Sequence, residues 1–289
     1  YGGVFKMTQG VGVASPEGFA FNFGIAEDQI VGAAVGYALS GRLLPVAEIQ
    51  FTDYRTSGFQ QMVDILATMA ARTGGRTRLP LMLRMHSGAY LTGAAGYGHG
   101  ENAVGTFLHY PGWYVAMPST PLDAVGMTRA IFRMQQAGHW MPVVWLEPKA
   151  SRYLEAPAYP VDYEVPVGKA NVVSDGKDIT LISYGNTLHL MRVVKALLEQ
   201  DDARLEYMKR RGSKFIPNFV WFGIDRARKM MEGMPKYSAA LVDLRWLAPF
   251  DTETCLAQLR RTSGCGLVGD EDREMGGAAT SIAQRLGQE

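Results

Sequence analysis

The sequence predicts an α/β protein built as two doubly wound domains, and three observations carry that prediction. Short apolar runs alternate with longer amphipathic or small-residue runs along the whole chain, the pattern of strands that cross over through helices. The chain has 289 residues, more than the ~100–200 usual for one domain, so two are expected. Hydrophobic residues make up 47% and charged residues 20%, a globular balance that excludes disorder and a coiled coil.

In the first half, strands are expected at 45–51, 80–85, 114–118 and 142–147. Each is a short β-rich run bounded by Pro or Gly, as for strands buried on both faces. Helices are expected at 27–39, 58–72 and 122–136. Glu27 and Asp28 suit the positive end of the first helix dipole, and Gly41 can close it. The charge-free run 102–122 has the ~20 residues that span a bilayer. Pro111, Pro118, Pro121, Gly105 and Gly112 interrupt it, so it reads as helix, turn and strand, and no membrane span is expected. Prolines 148, 157, 160 and 166 mark an extended linker over 151–165, separating expected domains at 1–150 and 166–289. The second domain is expected to run strand 179–183, helix 187–199, strand 239–244, helix 252–261, strand 266–269 and helix 278–286.

One connection in the second domain is too long. A helix-to-strand loop ordinarily takes ~2–6 residues, so 201–236 reads as an insertion. It carries nine basic and five acidic residues, with Tyr207, Phe215, Phe219, Trp221 and Phe222 interleaved. A docking arm, a nucleic-acid patch or a kinase-accessible Arg210-Arg211-Gly212-Ser213 are functional readings. A helical hairpin that packs its aromatics and solvates its charges is the plainer reading and is favoured. The net charge of +1 argues against a uniformly basic nucleic-acid binder. Outside the insertion 20 basic residues face 23 acidic ones, so a mildly acidic body carries a basic insert. Two cysteines, Cys255 and Cys265, are too few for a disulfide framework, and a reduced, intracellular compartment is expected. The chain opens at Tyr1 without Met or a signal pattern, which predicts trimming at the N-terminus.

Familiar site motifs are missing: no G-x-G-x-x-G opening a helix, no Walker loop, no H-E-x-x-H and no G-x-S-x-G. The five histidines lack metal-ligand spacing, so no metal site is predicted. A carboxylate and a histidine remain. Glu27 stands in the apolar run Gly24-Ile25-Ala26-Glu27-Asp28-Gln29-Ile30, ahead of Gly32 and Gly36, which are expected to admit a close neighbour. A desolvated carboxylate there can share a proton with a ligand nitrogen. A first-turn carboxylate that only stabilises the helix end is the alternative, and composition alone favours it. His99 lies in the stretch 87–100, which holds five glycines. Glycine on both flanks leaves an imidazole free to move protons, and a surface histidine without a role is the alternative. His109, before Tyr110-Pro111-Gly112, reads as structural.

Nine segments in register carry a resemblance. They are Tyr1-Gly2-Gly3-Val4-Phe5, Ile25-Ala26-Glu27 with Ile30-Val31-Gly32-Ala33-Ala34-Val35-Gly36, Pro45-Val46-Ala47-Glu48-Ile49-Gln50-Phe51-Thr52-Asp53-Tyr54, and Gly98-His99-Gly100. His109-Tyr110-Pro111-Gly112, Pro118-Ser119-Thr120-Pro121-Leu122-Asp123-Ala124, Leu146-Glu147-Pro148-Lys149, Val242-Asp243-Leu244-Arg245 and Pro249-Phe250-Asp251 complete the set. In order and spacing these resemble the β chain of the thiamine-diphosphate-dependent 2-oxo acid dehydrogenase E1 component, of the pyruvate or branched-chain type, in the transketolase-like superfamily.

The resemblance implies a thiamine-diphosphate-binding pyrimidine-type domain followed by a transketolase C-terminal-like domain. It implies that Glu27 contacts N1′ of the cofactor's aminopyrimidine and thereby promotes loss of the thiazolium C2 proton. Tyr54 is implied to lie against the aminopyrimidine face, with Ile25 and Gln50 also touching that ring. His99 is implied to orient substrate and to assist acyl transfer to lipoamide. The implied reaction is oxidative decarboxylation of a 2-oxo acid with reductive acylation of a lipoyl group on an E2 partner. An E1 α chain is implied to hold Mg²⁺ and the diphosphate in an α2β2 assembly, because no motif for them stands here. The implied compartment is the bacterial cytoplasm or the mitochondrial matrix.

The chain departs from the family pattern at three places. Gly98 and Gly100 flank His99 where Gln and Ser are usual. The run Arg133-Met134-Gln135-Gln136-Ala137-Gly138-His139-Trp140-Met141-Pro142-Val143 lacks the acidic ligand of the family's potassium site, and that site is not predicted. The second domain stops at Glu289 where the family runs on, which would suit a segment of a fused α–β chain. Acetoin dehydrogenase β or another transketolase-superfamily enzyme is an alternative, and a non-catalytic assembly subunit using 201–236 is another.

Overall fold

The computed structural model describes all residues except 1, 4, 5, 17, 89–97, 213–215 and 217, and the side chains of 152, 153, 212, 218 and 219. The Tyr1, Val4 and Phe5 positions of the first motif, most of the glycine-rich stretch 87–100, and Ser213, Phe215 and the Phe219 side chain therefore lie outside the described residues.

The first half forms the predicted alternation. The helical segments α1 (Val11–Ala14) and α2 (Glu27–Leu39) precede β1 (Val46–Ile49). A 3-10 turn at Thr52–Tyr54 leads into α3 (Arg55–Gln60), a π-wound stretch Gln61–Ala67 and α4 (Met69–Arg72). Then come β2 (Met82–Ser87), α5 (Val104–Leu108), β3 (Tyr114–Ala116), α6 (Pro121–Gln136) and β4 (Val143–Pro148). The run 102–122 is thus helix, turn and strand, as its prolines dictate. β2 is buried at every position because it lies between β1 and β4, both parallel to it. α6 starts where Thr120 accepts the Asp123 N–H on its hydroxyl at 3.1 Å, with Pro121 at the first helical position.

The second half adds β5 (Asn171–Ser174), β6 (Ile179–Ser183), α7 (Gly185–Leu198), α8 (Asp202–Gly212), α9 (Asn218–Met230), β7 (Ala239–Asp243), β8 (Trp246–Ala248), α10 (Thr252–Arg261), β9 (Gly266–Val268) and α11 (Ala278–Gly287). Its four-stranded sheet has the order β5-β7-β6-β9, parallel except at the β5 edge. β8 leaves this sheet and pairs antiparallel with β3, so the first sheet reads β1-β2-β4-β3-β8. One apolar cluster runs through both halves, joining Val31, Ile49, Leu83 and Val144 to Ile182, Val242, Leu247 and Ile282. Among the described residues no helix is long and apolar enough to cross a membrane.

Two stretches without regular pattern are nonetheless anchored. Within 151–165, Val165 is buried and donates its N–H to the Gly126 carbonyl of α6, and Arg129 reaches the Tyr163 carbonyl at 3.0 Å. A side chain at Gly126 would meet Tyr163 and Val165 at 2.7 Å, so glycine is what lets the linker lie against the helix. The insertion 201–236 is the helical hairpin favoured from sequence. Leu205, Ile216 and Trp221 are buried against Val193 and Ala196 of α7. Its charges pair across the hairpin, Lys209 with Asp225 at 2.7 Å and Arg228 with Asp202 at 2.8 Å. The expectation that the hairpin packs its aromatics is corrected in part: among the described side chains Trp221 is buried, while Tyr207 and Phe222 remain exposed.

A buried polar knot joins the two sheets. Asp243, at the end of β7, accepts from the Ser119 hydroxyl at 2.8 Å, and the same hydroxyl accepts the Gly185 N–H. Asp123 pairs with Arg245 at 2.7 Å beside it. Burial, reinforced by the neighbouring Asp123 carboxylate, pushes the Asp243 carboxyl up to about 7.

Candidate active site

The chain turns sharply after β1, and that turn builds the site. Residues 51–54 leave the sheet as an extended residue and a single 3-10 turn, which projects Phe51 inward and Tyr54 to one side. The Tyr54 hydroxyl lies 2.8 Å from His99 Nε2, although 45 residues separate them. The Phe51 ring meets the His99 ring edge-on with centroids 4.7 Å apart, and meets Tyr54 at 5.5 Å. Lys149, at the end of β4, places its ammonium 4.9 Å from the Phe51 ring centroid, within cation–π range. His99 is therefore held in an aromatic corner of Phe51 and Tyr54, of which sequence reasoning identified only Tyr54.

Beside the corner lies a charged clamp. Arg55 forms a two-pronged ion pair with Glu101, at 2.7 and 3.1 Å, with the guanidinium side chain 11% exposed. The same guanidinium donates to the Thr52 carbonyl at 2.9 Å. Hydrogen bonding from Arg55 holds the Glu101 carboxyl below its ordinary range, against the opposing effect of burial.

Glu27 opens α2, where the first-turn N–H groups and the helix dipole favour a carboxylate. It is half-buried, and among the described residues its carboxylate makes no hydrogen bond or ion pair. The residue that seats it is Gly58, one helical turn beyond Tyr54. A Cβ built at Gly58 would stand 3.0 Å from the Glu27 carbonyl carbon and oxygen and 3.3 Å from the Asp28 nitrogen. Within this chain no backbone comes close to Gly32 or Gly36, the positions expected to admit one. Gly32 has Gln61 as its nearest neighbour at 3.9 Å and Gly36 has open space, because that face of α2 points away from the chain's own core. The sequence signal for Gly58 is a glycine in an otherwise helical run, which marks close backbone approach.

The remaining sequence candidates are placed as follows. Gln50 is half-buried immediately before Phe51, and Ile25 is fully exposed two residues before Glu27. His109 is exposed at the end of α5, with its ring edge-on to Tyr110 at 4.9 Å. In the run 133–143, Gln135 is buried and its amide closes the loop after α6. It donates to the Met141 carbonyl at 2.5 Å and accepts the Met141 N–H at 3.2 Å.

Sequence and fold are similar to those of known proteins. Residues 1–151 match the family described as transketolase, pyrimidine binding domain. The chain is 33% identical to the mitochondrial 2-oxoisovalerate dehydrogenase subunit beta of Dictyostelium discoideum, covering 99% of this chain and 66% of that protein. It is 31% identical to the pyruvate dehydrogenase E1 component subunit beta of Acholeplasma laidlawii, covering 97% of this chain and 73% of that one. The chain thus spans about two thirds to three quarters of the length of these relatives. In three dimensions it is similar to a split-gene transketolase, an inactive β4 tetramer, with a TM-score of 0.61 at 20% identity over 93% of this chain and 71% of that one. The fold is therefore that of the transketolases, and the chain belongs to the transketolase-like family of 2-oxo acid dehydrogenase E1 β subunits.

Proposed function

We propose that this chain, joined to an E1 α chain, catalyses thiamine-diphosphate-dependent oxidative decarboxylation of a pyruvate-type or branched-chain 2-oxo acid and passes the acyl group to a lipoyl-bearing E2 protein. The observation that carries the reading is the Glu27 carboxylate. It is half-buried at the head of α2, has no partner among the described residues, and is fixed through its backbone by Gly58. A carboxylate so placed fits a protonated ring nitrogen, to which it would offer a charge-assisted hydrogen bond. When bound, thiamine diphosphate supplies the electron sink for loss of CO₂. Glu27 would hold the proton at N1′ of the aminopyrimidine. Tyr54, Gln50 and Ile25 would border that ring. His99, steadied by Tyr54 and Phe51, would orient the substrate and move a proton during acyl transfer.

Domains at 1–150 and 166–289, joined through 151–165, follow from this reading, the first taking the aminopyrimidine. The diphosphate and Mg²⁺ fall to the α partner in an α2β2 assembly, in the bacterial cytoplasm or the mitochondrial matrix. Glu27→Gln, reconstituted with the α partner, tests the assignment. CO₂ release should fall by about 10²-fold or more, the upper part of the range for a positioned acid–base group. Near-normal release would refute the Glu27 role.

A further inference from the structure

Glycine at 98 and 100 poses a mechanical problem. Gly98 sits at φ +86, a backbone region that side-chain-bearing residues rarely adopt. A histidine between two glycines gains no rigidity from its own backbone, yet the His99 ring occupies one corner against Phe51 and Tyr54. Something beyond the glycines must fix the chain.

Every polar group of Glu101 is engaged in doing so. Its N–H donates to Asp53 Oδ2 at 3.2 Å. Its carbonyl accepts from the Thr52 hydroxyl at 2.6 Å and from the Gly88 N–H at 3.2 Å. Both carboxylate oxygens are taken by Arg55, with the exposed Arg273 guanidinium 3.7 Å from one of them. The partners Thr52, Asp53 and Arg55 belong to the same turn that carries Phe51 and Tyr54. The residue two places after His99 is thus bolted to the element that forms the histidine's pocket.

We infer that Glu101 is a positioning residue for His99, its pairing with Arg55 setting where the imidazole stands against Tyr54. This rests on the proposed role of His99, and it assigns to a charged pair the rigidity that the flanking glycines cannot supply. Because both carboxylate oxygens are used in fork geometry, lysine at 55 cannot replace arginine.

The test uses the full chain for spectroscopy and the complex reconstituted with the α partner for kinetics. Glu101→Ala and Arg55→Lys should each lower lipoamide acylation by about tenfold or more, the scale for a misplacement of about 0.5 Å or more. CO₂ release to an artificial electron acceptor should be less affected. Glu101→Asp should recover part of the loss. In ¹³C-labelled histidine spectra the His99 ring signal should move or broaden in Glu101→Ala. Unchanged acylation together with an unchanged His99 signal in a folded Glu101→Ala or Arg55→Lys protein would overturn the inference. If His99→Ala itself leaves acylation intact, the catalytic reading of His99 falls, while a displaced His99 signal in Glu101→Ala still upholds the clamp.

Discussion

Replacing Gly58 by alanine separates stability from catalysis in this protein. Alanine is favoured over glycine in a helix interior by about 0.8–1.0 kcal/mol, so propensity alone predicts a stabilised chain. The new Cβ would, however, stand 3.0 Å from the Glu27 carbonyl carbon and oxygen. Carbon atoms rest at about 3.5–4.0 Å, so the two backbones must part by about 0.5 Å. Overpacking of this kind costs about 1–3 kcal/mol where neighbours cannot yield, but the start of α2 has exposed residues before it and can shift. The net stability change should therefore be within about 1 kcal/mol of zero. The displaced atoms belong to Glu27, so the effect should appear in turnover. If 1 Å of misplacement costs about 10²-fold, half of that costs about tenfold. The assay is CO₂ release by the α-reconstituted enzyme, read beside a thermal melt. Full turnover in a protein of unchanged or raised Tm would refute the claim that Gly58 seats Glu27.

Two further outcomes test the scaffold. The buried Asp243 carboxyl titrates near 7 in the folded chain, above its ordinary 3.8. Folded protein therefore binds more protons than unfolded between those values, and this group's contribution is fullest below pH 4 and is lost as pH rises through 7. Asp243→Asn should flatten the decline in urea midpoint from pH 5 to pH 8, and equal slopes in the two proteins would contradict the assignment. Gln135→Ala should cost about 1–3 kcal/mol, because the Met141 N–H and carbonyl both lose their partner; a melt shifted by less than a degree would show that water replaces the amide.

Local pattern made much of this fold legible. Helix α2 spans the predicted 27–39, because acidic residues mark its start and the apolar run its length. Strands β1 to β4, β6, β7 and β9 lie where short β-rich runs stand between Pro and Gly, with ends moved by a few residues. The hairpin in 201–236 followed from length and interleaved aromatics. The edge strands β5 and β8 were illegible, being three or four residues long and defined only by partners elsewhere in the chain. The π-wound stretch 61–67 was equally hidden in what reads as plain helix.

The site divides in the same way. Glu27 and His99 were candidates from their local runs, and Tyr54 entered only through motif register. The contacts that organise them are long-range: Tyr54 to His99 across 45 residues, Arg55 to Glu101 across 46. No local period encodes such a pairing, so Phe51, Arg55, Gly58 and Glu101 emerged only from the folded chain. Gly32 and Gly36 show the converse. Their spacing suits a close neighbour, but whether one comes depends on which way the helix face points.

Reconstitution with an E1 α chain tests the central claim most directly. The complex should bind thiamine diphosphate with Mg²⁺, release CO₂ from a 2-oxo acid and acylate lipoamide, with each chain inactive alone. A well-formed complex that leaves thiamine diphosphate unbound would contradict the account and make this chain an assembly subunit.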